Sequence, residues 1–476
     1  MGQLFFLGLF AALSVTSLAR PWIGVVGAYW LVLLTPQAIW YWNFEGLRPA
    51  LWIILPTLVG FVFAAMRGSY TISAVANRRN AYMSILWLCF ALSYFFGPYV
   101  DAQGPYRFSD PGWVIETLNK ILLLYFVACV CLDSEKKLRV LTWVMVGSAV
   151  YLTYWANDRY LSGYVMGRMP GPRDVNGMGT YADENTFALL FVVAQPFLWS
   201  MGLATKRLWL RWGLWLVIPF AWHAVFLTAS RGGLVGLVVV TLLMALRSKH
   251  RMLAAALIPA FVIAYQWQAG DLMKSRAETI DEYRTEESAA TRVEAWTAAI
   301  RMIGEHPFVG VGLGSFGPAF PDFSDAPPRE AHNTFFQISA ESGLLAGVLY
   351  VMLMLGSIAA LWRNGARLAK QGPEAPQGFL YLVNEATLLS LVGLATCALF
   401  LSLQMFEIVY FLLLMTNVVL FVSARARNAE QANAVFQDRL PEAGARPVRP
   451  RRNAMVSPRQ PARGGERAAS SSNGPA

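Results

Sequence analysis

Long apolar runs separated by short basic loops recur along nearly the whole chain, and nothing else limits its fold so severely. "LFFLGLFAALSVTSLA", "LWIILPTLVGFVFAAM" and "LLAGVLYVMLMLGSIAALW" are examples. Each approaches the roughly 20 apolar residues that cross a bilayer as a helix. Inside hydrocarbon every backbone polar group needs an internal partner, so such runs cross as helices and not as isolated strands. The chain is 56% hydrophobic and 14% charged, whereas soluble domains carry about 25% charged residues. The expected fold is all-α: a polytopic integral membrane protein with about 12 or 13 transmembrane helices. The first run, residues 2–19, has no basic segment before it and its "SLARPW" end is no small-residue cleavage site, so it reads as a retained span.

Charge gives the orientation. The basic short loops "RGSYTISAVANRR" (67–79), "DSEKKLR" (133–139), "KRLWLR" (206–211), "RSKHR" (247–251) and "RNGARLAK" (363–370) fall on one side when sides alternate across the runs. Cytoplasmic loops are enriched in Lys and Arg, so that side is expected to be cytoplasmic. The other side receives the loops near 43–49, 101–112 and 156–181, a tight turn at 229–233 and one long loop at 269–335. Three regions are expected: an N-terminal transmembrane region (1–195), a membrane domain with the long loop (196–427), and a disordered cytoplasmic tail (428–476) rich in Pro, Arg, Ala and Ser. In the long loop, Val293, Trp296, Ile300 and Ile303 recur at helical spacing. They predict an amphipathic helix that Gly304 and Pro307 end.

The net charge of +10 lies largely in the tail and the short loops, which is a membrane pattern and not a nucleic-acid one. The four cysteines all fall in apolar runs and read as small buried hydrophobes. No D-x-D is present, and His306 and His332 show no ligand spacing, so neither a metal nor any other cofactor is expected. "GLGSFG" (312–317) matches G-x-G-x-x-G, but no strand or βαβ unit surrounds it.

What remains is a set of ionisable residues at the outer ends of the spans. Arg231 stands in "TASRGGLVG" between two apolar runs, where a charge is costly unless it is paired or meets an anion. Arg292 lies one turn before Trp296. Arg173 sits with Asp183, Glu184 and Asn185 in "MPGPRDVNGMGTYADEN". His332 opens the last non-cytoplasmic segment, "EAHNTFFQISAESG", with Asn333 placed to orient its ring and Glu341 as a partner further along. Each has a plainer reading: a snorkelling Arg, a helix cap at Asp183, an interfacial His. Together they make an anion site with a base. Arg holds phosphate through a bidentate fork, and His is the usual base near neutral pH. Such a site at a membrane boundary suits a lipid-linked phosphate.

"ASRGGLVGL", "TRVEAWTAAIRMIGEHPFVGVGLGSF" and "HNTFFQISAESGLLAGVLY" resemble the three ordered signatures of the O-antigen ligase/polymerase superfamily. "LARPWIGVVGAYWLVLLTPQ" resembles more narrowly the O-glycosylation ligases associated with exosortase A systems. The resemblance implies a metal-independent, inverting glycosyltransferase that moves a glycan from undecaprenyl diphosphate to an acceptor hydroxyl at the periplasmic face. It implies that Arg231 and Arg292 hold the diphosphate and that His332 takes the hydroxyl's proton. Arg173, Asn333 and Glu341 would bind or position substrate. The acceptor stays open among lipid A core, a growing polysaccharide and a protein hydroxyl. The alternatives are a polymerase of the same superfamily and, from another class, a lipid-linked glycan flippase. A flippase would carry its ionisable residues near the midplane, where this chain has only Glu116 and Lys120.

Overall fold

A computed structural model describes residues 2–439 except 71, 103–108, 165–166, 176, 249–251, 253–255, 279–286 and 372–377. The described residues are helical, without a strand. The chain runs α1 (Gly2–Ala19), α2 (Pro21–Leu34), the single turn α3 (Pro36–Ile39), α4 (Pro49–Met66), α5 (Arg78–Phe96), α6 (Pro111–Cys131) and α7 (Glu135–Leu161). Then come α8 (Glu184–Ala204), α9 (Leu208–Thr228), α10 (Arg231–Arg247), α11 (Leu257–Gln268), α12 (Asp271–Glu278) and α13 (Glu287–Glu305). The last are the short α14 (Phe316–Ala319), α15 (Thr334–Ser342), α16 (Leu344–Leu368), α17 (Phe379–Ala398) and α18 (Glu407–Arg439).

Among the described residues, eight helices are long and apolar enough to cross a membrane: α1, α4, α6, α8, α9, α16, α17 and α18. The other helices in the expected set are α2, α5, α7, α10 and α11, each either short or interrupted by polar residues. Local chemistry fixes the starts. Pro occupies the first turn of α2, α4 and α6, where its missing N–H has no intrahelical partner to lose. Asn77, Asp110, Asp183, Ser230 and Asn333 cap α5, α6, α8, α10 and α15 through side-chain oxygens.

Helix α8 is the hub. Every side chain from Phe187 to Gly202 is buried, and the helix packs on α7, α9, α10 and α17. Residue 195 lies within this helix, and residues 1–426 form one compact unit. By contrast α4 buries only Ile53, Thr57 and Gly60, as suits a peripheral, lipid-facing helix. Helix α18 continues to Arg439, past the expected start of the tail. Residues 440–476 of that tail, like 279–286 of the long loop, lie outside the described residues.

The long loop is a folded layer with its own small core of Ala295, Ala298, Ala299, Met302, Val311, Phe316 and Phe320. Helix α13 confirms the predicted helix but not its buried face. Val293 and Ile300 are exposed, and the buried face is made of alanines and Met302. Small side chains let α13 lie close against α15, which apolar size alone does not reveal. Gly310 and Gly343 join this layer to α15 and α16, both at positive φ. A Cβ on Gly343 would meet the Phe308 carbonyl at 2.1 Å, so only glycine fits there.

Candidate active site

The segment "TASRGG" folds into a sharp helix-to-helix turn. Ala229 ends α9 at φ 49°, a backbone region uncommon outside glycine. Ser230 then caps α10, accepting from the Gly233 amide at 3.1 Å and donating to Asn185 Oδ1 at 2.8 Å. The turn gathers arginines. Arg231 Nε donates to the Arg276 carbonyl at 2.7 Å, and Arg276 Nε donates to the Ala229 carbonyl at 3.0 Å. Helix α12 is thereby folded back over the turn. On the far side Arg168 donates to the Thr228 carbonyl and to Asn185 Oδ1, and pairs with Glu184 at 3.5 Å.

The segment "EAHNTF" is pinned from three directions. Trp296 of α13 donates from its indole to the Ala331 carbonyl at 2.9 Å. Gln337 accepts from the Ala331 amide at 3.0 Å. Thr334 donates to the Leu401 carbonyl at 2.6 Å and accepts from the Leu403 amide. Between these clamps His332 is held at φ 46°. Strained backbone of this kind persists only where its surroundings impose it, and it clusters at functional sites. Thr35, Ala229 and His332 are the non-glycine residues at positive φ among the described residues. Thr35 joins α2 to α3, two residues before the cavity-lining Gln37.

A cavity of about 1350 Å³ opens beside His332. Its wall includes Asp183, Glu330, His332, Gln404 and Glu407. Parts of 37–49, 109–117, 174–186, 317–337 and 401–406 also line it. Four of the loops that charge patterning places on one side of the membrane thus share one cavity, and the turn at 229–233 does not line it. His332 is open to this space yet crowded by protein on its other sides. Burial lowers its proton affinity, and Arg292 and Arg329 lower it further, while Asp183 opposes them. Its ring has no hydrogen-bond partner among the described residues. Glu330 is pushed up to about 7 by burial and by the nearby Glu341 and Asp183 carboxylates.

The expected site residues sort as follows. Arg292 and His332 come together electrostatically. Arg231 is outside the cavity wall, behind the loop that carries Leu399 to Leu403: Gly232 lies against Phe400, and Leu401 and Ser402 line the cavity. Arg173 is exposed and also outside the wall, although its neighbour Asp174 is in it. Asn333 serves the backbone instead of the His332 ring, accepting from the Phe336 amide and donating to the Leu399 carbonyl. Glu341 is likewise distant from the ring in its bonding. Its carboxylate accepts from Gly314 N at 2.9 Å, Phe316 N at 3.3 Å, Gln337 Nε2 at 2.5 Å and Gln404 Nε2 at 2.6 Å. The glycine-rich "GLGSFG" turn is therefore wrapped around a protein carboxylate and not a nucleotide phosphate.

Four residues escaped the sequence reading: Arg168, Glu330, Gln404 and Glu407. Arg168 lies on the same loop as Arg173 and was as visible. Glu330 opens the very stretch that contains His332. Glu407 is a lone carboxylate at the start of a span, a signal of the kind that singled out Arg231. Nothing marked Gln404. Among the described residues no three His, Cys, Asp or Glu side chains form a metal-ligating group.

Residues 216–351 match the family described as O-antigen ligase. No curated protein and no solved structure matches the chain. The matched segment begins within α9 and ends within α16, and it holds Arg231, Arg276, Arg292 and His332. Over these residues the chain is similar to an O-antigen ligase domain, which supports the O-antigen ligase superfamily.

Proposed function

We propose that this protein transfers a glycan from undecaprenyl diphosphate to an acceptor hydroxyl at the periplasmic face of the bacterial inner membrane, with its C-terminus in the cytoplasm. The observation that carries this reading is His332 itself: a base held in left-handed backbone on the wall of a large cavity, within electrostatic reach of Arg292.

In this mechanism the acceptor hydroxyl lies in the cavity against His332. It attacks the anomeric carbon, the bond from that carbon to the diphosphate oxygen breaks, and the configuration inverts. The neutral imidazole takes the hydroxyl proton, a role typically worth about 10²–10⁴-fold. The diphosphate leaves with the bonding electrons, and Arg231, Arg276 and Arg292 stabilise its charge. Fixed donors aimed at developing charge are usually the largest catalytic contribution. Guanidinium forks supply that charge without requiring a metal. The role first given to Arg173 is better suited to Arg168, which Thr228 and Asn185 hold in place. Asn333 and Glu341 act as positioning residues through the backbone around His332.

The test is transfer by purified protein in nanodiscs, from a fluorescent undecaprenyl-diphosphate glycan, with EDTA present. Transfer should persist, and Arg231→Lys and Arg292→Lys should each abolish it because Lys cannot form the fork. Complete loss with EDTA, restored by a divalent ion, would overturn the metal-independent reading.

A further inference from the structure

The O-antigen ligase segment builds only part of the cavity wall. Residues on both sides of the match supply the rest, and the N-terminal ones include Tyr41, Trp42 and Phe44 after α3 and Trp113 at the start of α6. Trp42 is 56% exposed and Tyr41 41%, high for aromatic rings in a folded chain. The two rings stand edge to face at 5.2 Å. An aromatic face of this kind stacks against the apolar face of a sugar ring.

Carboxyl groups outnumber basic groups on the wall. Glu45, Asp174, Asp183, Glu330 and Glu407 line the cavity, with Arg329 and His332 as its basic groups. Glu330 is raised to about 7 and so is partly protonated near neutral pH; the carboxylates that are ionised only accept hydrogen bonds, so they suit hydroxyl or ammonium donors. A cleft lined by one sign of charge attracts the opposite sign and excludes its own.

We infer that the cavity seats an oligosaccharide acceptor that is uncharged or amine-bearing, stacked on Trp42 and Trp113 and donating its hydroxyls to the wall carboxylates, and that it turns away chains bearing phosphate or uronate. The inference rests on the glycan-transfer reading for calling the occupant an acceptor. A sugar is favoured over a peptide because the described residues offer no strand edge for main-chain pairing, whereas the wall offers ring faces and acceptors.

The experiment measures binding without turnover, by calorimetry on the full-length protein in nanodiscs. Four probes are compared: an N-acetylglucosamine tetramer, a glucosamine tetramer, a galacturonate tetramer and a Ser/Thr-rich octapeptide. The first two should bind at least tenfold more tightly than the last two. Trp42→Ala and Trp113→Ala should each weaken the neutral tetramer at least fivefold. Glu45→Gln combined with Glu407→Gln should narrow the gap to the galacturonate tetramer. Tighter binding of the anionic tetramer or the peptide, no binding by any tetramer, or unchanged binding by both Trp variants would overturn the inference. A protein that binds the neutral tetramer as predicted but transfers no glycan would refute the transfer reading instead.

Discussion

Gln337 joins Glu341 to the backbone just before His332: its Nε2 donates to the Glu341 carboxylate at 2.5 Å, and its Oε1 accepts from the Ala331 amide at 3.0 Å. Glu341 is thus the buried anchor from which His332 is held, two bonds away. Replacing it by Gln keeps its shape but puts an NH₂ group among the donors from Gly314, Phe316, Gln337 and Gln404. A buried donor left without a partner costs about 1–3 kcal/mol. Glu341→Gln should lower the thermal midpoint by several degrees and cut transfer, while Glu341→Asp loses less. A thermal-shift series in nanodiscs checks the order.

The pH dependence follows from the surroundings of His332. Its proton affinity is lowered by burial, by Arg292 and by Arg329, so the neutral base form persists below its ordinary value of about 6.5. Transfer should fall only as pH drops through that lowered value. Arg329→Gln removes a neighbouring positive charge, so the acid limb should move to higher pH. Asp183→Asn removes the opposing negative charge and should move the limb to lower pH, while Asn still caps α8. Rate–pH profiles of the two variants that shift in the same direction would contradict this assignment.

Glu330 gives a stability prediction with the opposite chemistry. Its carboxyl is raised to about 7, so the folded state favours its protonated form. The stabilisation is complete below the unfolded value of about 4.3 and is lost as pH rises through about 7. Glu330→Gln should therefore raise the thermal midpoint at pH 8 and change it little at pH 4. A gain that is larger at pH 4 than at pH 8 would show that Glu330 is ionised in the fold.

Much of the fold could be read in advance because membrane helices announce themselves locally. Length, apolarity, Pro at first turns and polar caps need no knowledge of distant residues. The amphipathic helix at 287–305 was legible for the same reason, but its buried alanine face was not, since alanine carries little weight in an apolar pattern. The candidate site was legible only where a costly residue stood at a boundary, as with His332, which lines the cavity. Its assembly depends on contacts far apart in sequence. Ser93 donates to the Glu341 carbonyl, Asn333 to the Leu399 carbonyl, and Tyr181 to the Leu33 carbonyl. No local pattern encodes these pairings, so the roles of Gln404, Glu407 and Trp113 emerge only from the fold.

Orientation has its own test. In a background without the native cysteines, a Cys at the exposed Asp325 position should react with a membrane-impermeant maleimide in intact spheroplasts. A Cys at position 470 should react only after lysis. The reverse pattern would place the cavity in the cytoplasm and rule out the periplasmic assignment.

The most direct measurement is transfer by His332→Asn. Asparagine is among the residues that best tolerate the left-handed backbone His332 occupies, so this variant should fold, keep the native thermal midpoint and still bind the undecaprenyl-diphosphate glycan. It has no group that accepts a proton at neutral pH. The account predicts transfer reduced by at least about 100-fold with donor binding within threefold of the native protein. Transfer by purified His332→Asn within a few-fold of the native rate would show that His332 is a structural residue and that the base is elsewhere.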